Sequence, residues 1–151
     1  MATEQPPFQI RPACLSDASE LARLASELGY PADESEIASR LLAAQCLPNL
    51  FIAVAADASR LLGWIAAEQR LILEAGEIIE ISGLIVDTTQ RHRGIGRALL
   101  ADAEQWGKDR GIATAWVSSN VTRTGSHHFY ERAGFIRTKT QHHYCKQLGS
   151  S

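Results

Sequence analysis

The sequence predicts an α/β fold, a mixed sheet of about six or seven strands flanked by about four helices. Three observations carry that expectation. The chain has 151 residues, 45% of them apolar and 21% charged, which suits one globular domain with a substantial core. Apolar runs of strand length alternate with stripes of helical period. And an apolar strand ending at Val86 passes through a short polar turn and a basic, glycine-punctuated loop directly into an amphipathic helix.

Each element has its own signal. Phe8 to Arg11 reads as a first strand. Ser16 can cap a helix whose positions Leu21, Leu24, Ala25 and Leu28 share one face, and Gly29 stops it. Asp33 followed by Glu36 resembles a capping box, opening a second helix through Ile37 and Leu41 that ends before Pro48. Leu50 to Ala56 and Leu61 to Gln69 form a hairpin. Glu77 to Val86 is apolar on both faces, Ile79, Ile81 and Ile85 on one and Leu84 and Val86 on the other, so it is a central strand. Ile95, Leu99, Ala103 and Trp106 line a helix that Gly111 ends. Ala113 to Ser118 is a fifth strand, a short helix lies around Gly125 to Arg132, and Phe135 to Thr140 and His142 to Leu148 read as two closing strands.

Composition narrows the partners. A net charge of −2 gives no support for nucleic-acid binding, which draws on an excess of Lys and Arg. No apolar run approaches the roughly 20 residues of a membrane span. The start, Met-Ala-Thr-Glu-Gln-Pro-Pro, lacks the pattern of a signal peptide. Cys14, Cys46 and Cys145 form no pairable framework, so a reducing cytoplasm is expected.

The loop Arg91-His92-Arg93-Gly94-Ile95-Gly96-Arg97 opens a helix. N–H groups at a helix start have no intrahelical acceptor and sit at the positive end of the helix dipole, and glycines let a ligand approach the backbone, so the loop suits a pyrophosphate. A Rossmann fingerprint would need glycine where Leu99 stands, and no Gly-Lys-Ser/Thr ending of a Walker A loop occurs. An ordinary glycine-containing helix start on a solvated turn would use the same residues. Downstream come Asn120 and the run Phe129-Tyr130-Glu131-Arg132-Ala133-Gly134-Phe135.

These two segments, in this order, resemble the [Q/R]-x-x-G-x-[G/A] loop and the Asn…Phe-Tyr-x-x-x-Gly-Phe pattern of the GNAT superfamily of N-acetyltransferases. The resemblance covers most of the chain and is strongest from Glu77 to Phe135. It implies a mixed, mostly antiparallel central sheet in a single domain spanning 1–151, and acetyl-CoA as cosubstrate with no metal. It also implies strands four and five splayed at one end to admit the pantetheine arm. Leu84, Ile85 and Val86 would then offer backbone groups to pantetheine and to the thioester carbonyl. Arg91, His92, Arg93, Gly94, Ile95, Gly96 and Arg97 would hold the pyrophosphate and 3′-phosphate. Phe129 and Asn120 would complete the cofactor side, although Asn120 could equally cap the next helix and Arg97 could lie on a solvated helix face.

Amide formation from a thioester needs a neutral amine, a stabilised oxyanion and a protonated leaving thiol. An alkyl ammonium of pKa near 10.4 must lose its proton first. Glu80, set in Ile78-Ile79-Glu80-Ile81, is the candidate base, because a carboxylate in an apolar strand needs a partner or a task. An arginine partner or a sheet-edge position would also explain it; Glu68 and Glu77 read as surface residues. Tyr130 is the candidate acid for the thiolate, with packing against Phe129 as the plain alternative. The adjacent pairs His127-His128 and His142-His143 are poor geometry for shared metal ligation, Cys145 has no evident base, and the sequon at Asn120-Val121-Thr122 matters only in a secreted protein.

The function expected is acetyl transfer to a primary amine by direct attack in a ternary complex, on a small molecule or on a peptide or protein; a homodimer is compatible with it. The rival is a catalytically silent acetyl-CoA- or CoA-binding regulatory domain. Glu27, Asp33, Glu34 and Glu36 could attract a cationic amine or simply form a solvated helix face.

Overall fold

The computed structural model describes residues 7–119 and 124–149. Contacts divide the chain into one unit reaching to Ser118 and another from Ser119 onward.

The first unit is built on a sheet ordered β1-β2-β3-β4-β5, formed by β1 (Gln9–Pro12), β2 (Leu50–Ala56), β3 (Leu61–Ile72), β4 (Gly76–Val86) and β5 (Ala115–Val117). Every pair is antiparallel except β4 and β5, so the sheet is mixed as expected. Helices α1 (Ala18–Glu27) and α2 (Glu34–Gln45) cover one face, where Leu21, Leu24 and Leu41 pack with Val54, Leu61 and Ile85. Helix α3 (Ile95–Asp109) covers the other. It approaches closely because Gly63 on β3 and Gly107 on the helix have no Cβ: one at Gly63 would come within 3.3 Å of Leu99, and one at Gly107 within 3.0 Å of Ile79. Among the described residues no helix is long and apolar enough to cross a membrane.

Local chemistry explains the boundaries. Asp33 caps α2 by accepting the Glu36 N–H at 2.8 Å. At the start of α1 the expected cap at Ser16 is replaced by a 3-10 turn over Leu15–Asp17. Asp17 accepts the Cys14 N–H at 2.9 Å and a paired Arg11 guanidinium at 2.8 Å, a stronger charge-assisted arrangement than a serine hydroxyl offers. Gly29 and Gly111 follow α1 and α3 with positive φ, letting Tyr30 and Ile112 bond back to Ala25 and Gly107.

Two expectations need correction. Ile85 does not share a face with Ile79 and Ile81. Ser82 and Gly83 both stand opposite Ala66, and this one-residue bulge moves Ile85 onto the α1/α2 side while Ile79 faces α3. The sheet also has five strands among the described residues, because 135–140 and 142–148 form none. A strand exists only with a hydrogen-bonded neighbour. This exposed stretch, with Lys139, Gln141, His142, His143, Lys146 and Gln147, offers few apolar side chains to anchor one.

The second unit contains α4 (Thr124–Arg132). Gly134, at φ 98°, ends it in a Schellman-type turn whose Phe135 N–H donates to the Tyr130 carbonyl at 3.0 Å. The phenyl ring of Phe135 thereby meets the Tyr130 ring edge-on at 5.7 Å. The spacing Phe-Tyr-x-x-x-Gly-Phe is thus a helix terminus that folds its last aromatic back.

Candidate active site

The loop between β4 and α3 is shaped to leave donors open. Gly94 sits at the N-cap of α3 with φ 79°, a left-handed conformation, and no side chain caps the helix. The first intrahelical bond joins the Ala98 N–H to the Gly94 carbonyl at 3.0 Å, so the N–H groups of Ile95, Gly96 and Arg97 have no acceptor within the helix. His92, at φ 66°, bends the chain ahead of it. Ile95 is buried and roots the turn in the core, while Arg91, His92, Gly94 and Arg97 are exposed. Arg93 instead donates to Gln90 Oε1 at 2.6 Å and lies over the Phe8 ring, its centre 5.6 Å away. Three N–H groups without an intrahelical acceptor thus lie at the positive end of a fifteen-residue helix with arginines on either side, the arrangement that suits an anion.

An acidic residue that attracts no notice in the sequence anchors this loop. Asp87, 2% exposed, accepts the Thr89 N–H at 2.9 Å and its hydroxyl at 2.8 Å, and an Arg23 N–H from α1 at 3.1 Å. Arg23 also donates to the Leu61 carbonyl at 3.0 Å and pairs with Glu20. Burial works against the Asp87 carboxylate, but the Thr89 and Arg23 bonds outweigh it and hold the group below the ordinary aspartate value of 3.8. A depressed folded-state pKa stabilises the fold above the unfolded value and ceases to do so as pH falls through the folded one. Asp87→Ala should therefore cost about 2–3 kcal/mol at pH 7, lowering Tm by about 4–10 °C. That penalty should shrink below pH 4; urea titrations at pH 7 and pH 3 would measure it. The Asp-Thr-Thr run after a strand is an Asx-turn signal and could have revealed the residue.

Backbone donors on β4 are oriented by the bulge. The Asp87 N–H donates to the Leu62 carbonyl of β3 at 2.8 Å, and alternation then turns the Ile85 backbone toward β3 and those of Leu84 and Val86 away from it. A Cβ at Gly63 would stand 2.6 Å from the Ile85 carbonyl oxygen, in keeping with that orientation. Before the bulge the phase is opposite, and the Ile79 N–H bonds the Thr114 carbonyl at 3.0 Å on the β5 side. Among the described residues β5 pairs with β4 only from Ile79 to Ile81. Leu84 and Val86 therefore present backbone groups beyond that pairing, whereas Ile85 does not. Gly83 admits the Trp64 ring, which lies 2.8 Å from the place of a Cβ.

Glu80 lies on the α1/α2 face of the sheet, directly opposite Glu68 of β3 and beside Trp116 of β5. Its side chain is 26% exposed and its carboxylate is bonded to the Arg70 guanidinium, whose Nε stands 3.8 Å from Glu68. The carboxylate in an apolar strand thus has an arginine partner. Glu77 bonds Gln69 on the opposite face. Neither Arg70 nor Trp116 stands out in the sequence, since the antiparallel register of β3 on β4 brings the first to Glu80 and the parallel register of β5 on β4 the second.

In the second unit Tyr130 is half-buried between Phe129, 5.2 Å away at 73°, and Phe135. Asn120 lies outside the described residues. His127 and His128 are in α4, and Cys145 is exposed.

The acetyltransferase (GNAT) family model matches residues 17–135, running through both units. An aminoalkylphosphonate N-acetyltransferase of Salmonella typhimurium is 33% identical over 113 residues, 74% of this chain and 71% of that protein. An aminoglycoside N-acetyltransferase solved in complex with CoA superposes with a TM-score of 0.85 at 17% identity, covering 98% of this chain and 100% of that one. The glucosamine-6-phosphate N-acetyltransferase of Arabidopsis thaliana gives 0.78 at 17% identity over 95% and 99%. The family model spans most of the chain and the Salmonella relative is matched over more than two thirds of its length, which leads to one conclusion: this chain belongs to the GNAT family of acetyltransferases.

Proposed function

We propose that the chain works as a single acetyl-CoA-dependent N-acetyltransferase domain, transferring acetyl to a primary amine by direct attack in a ternary complex. The observation that carries the reading is the uncapped start of α3, where a left-handed Gly94 leaves three N–H groups for a pyrophosphate. Arg91 and Arg97 add positive charge there. Leu84 and Val86 supply backbone groups for the pantetheine amides and for the oxyanion of the tetrahedral intermediate. Glu80 takes a proton from the ammonium, directly or through water, and the neutral amine nitrogen then attacks the thioester carbonyl carbon. Collapse breaks the carbon–sulfur bond, and Tyr130 gives its phenolic proton to the departing thiolate.

The relatives act, by their names, on an aminoalkylphosphonate, an aminoglycoside and an amino sugar phosphate, which favours a small amine over a protein N-terminus. Thiol release from acetyl-CoA across an amine panel tests the proposal; acetyl-CoA binding without amine-dependent release would establish the silent binding domain instead. Tyr130→Phe keeps the ring and removes the proton donor. It should lower kcat by about 10²-fold or somewhat less, with acetyl-CoA affinity nearly unchanged. Wild-type turnover in a single-turnover experiment would assign Tyr130 to packing.

A further inference from the structure

We propose that the acceptor is a small zwitterionic amine whose ammonium is taken by Glu80 and Glu68 and whose anionic group is taken by Arg70. This rests on the acetyltransferase reading above and names the substrate class of that same site. Glu68 and Glu80 face each other across β3 and β4, and like charges directly opposed on a sheet repel. Arg70, two positions along β3 and on the same face, spans them: its Nη1 donates to Glu80 Oε2, and its Nε lies 3.8 Å from Glu68 Oε1.

These side chains are not buried for stability. Arg70 and Glu68 are each 43% exposed and Glu80 26%, so the contacts stay open to solvent. Exposed ion pairs contribute little to folding, and their partners exchange readily for charges brought by a ligand. On the far side of Glu80 stands Trp116 of β5, 37% exposed. Cation-accepting groups therefore cluster at Glu80, with one anion-accepting fork beside them.

A ligand that pairs with both ends of an ion pair must carry the opposite charges side by side, about 4–5 Å apart, the span of a two- or three-carbon chain. A diamine would have to expel Arg70 and leave it unpaired. A zwitterion gives the guanidinium a new anion, which a planar fork can grip bidentately. The same exchange releases the Glu80 carboxylate to receive the amine's proton, so recognition of the acceptor arms the base.

Calorimetry on the full chain, first titrated with CoA and then with amine, tests this without turnover. 3-Aminopropylphosphonate should bind at least about 10-fold more tightly than propylamine, propylphosphonate or 1,4-diaminobutane. Arg70→Gln should bring 3-aminopropylphosphonate to within about 2-fold of propylamine, and Arg70→Lys should retain part of the preference. Equal wild-type affinity for propylamine and 3-aminopropylphosphonate, tightest binding of the diamine, or a preference that survives in Arg70→Gln would each overturn the proposal. CoA binding with no heat from 3-aminopropylphosphonate would overturn it and leave the acetyltransferase reading standing. Absence of CoA binding would defeat both.

Discussion

Glu80→Gln is expected to lower turnover on a confirmed acceptor by about 10²–10⁴-fold near pH 7, the usual contribution of a positioned general base. The amide keeps the size of the side chain and removes its ability to accept the amine's proton. Neutral amine is scarce at pH 7, since an alkyl ammonium titrates near 10.4, and each unit of pH supplies about ten times more of it from solution. The variant should therefore be partly rescued as pH rises toward 9, while the wild type depends less steeply on pH over that range. The alternative is structural: Glu80 is paired with Arg70, and the substitution removes a surface ion pair that contributes little to stability. A pH–rate comparison of the two proteins separates these roles. Parallel profiles would move the base assignment to a water chain held by backbone groups.

Gly94→Glu should abolish acetyl-CoA binding, a loss of more than about 100-fold, by placing a carboxylate at the proposed pyrophosphate site. The position has open space, since nothing lies within 4 Å of an added Cβ, but φ 79° is a conformation that side chains rarely adopt. Gly94→Ala is the control: it carries the backbone strain of about 1–2 kcal/mol without the charge. If charge and bulk dominate, the alanine variant should keep measurable affinity and the glutamate variant none. Acetyl-CoA should raise the wild-type Tm, because a ligand of the native state stabilises it by mass action, and should leave the Gly94→Glu Tm unmoved. Unchanged affinity in a folded Gly94→Glu protein would remove the basis of the proposed pyrophosphate site.

Features of short range are legible in the amino-acid sequence. The apolar runs of β2 and β3, the stripe of α3 and the capping aspartate of α2 each depend on residues within a few positions of one another. The glycine at the head of α3 belongs with them, because the need for a left-handed residue there is settled by its immediate neighbours. The pattern Phe-Tyr-x-x-x-Gly-Phe is readable for the same reason, its ring contacts following from one helix turn and one reversal.

What depends on pairing across the sheet is not legible there. The bulge at Ser82 leaves no mark in composition, yet it carries Ile85 to the other face and decides that Leu84 and Val86, not Ile85, direct their backbones away from β3. Arg70 and Trp116 reach Glu80 only through the register of three strands. The closing strands expected at 135–148 fail by the same logic: extended propensity is a local property, whereas a strand needs a partner. By itself the sequence determined the order of the elements through α4, the uncapped glycine loop at the head of α3 and the family, because these rest on neighbouring residues. The tertiary structure alone decided which backbone groups face outward and which charges surround Glu80, because hydrogen-bond phase and side-chain neighbourhood are set by strands distant along the chain.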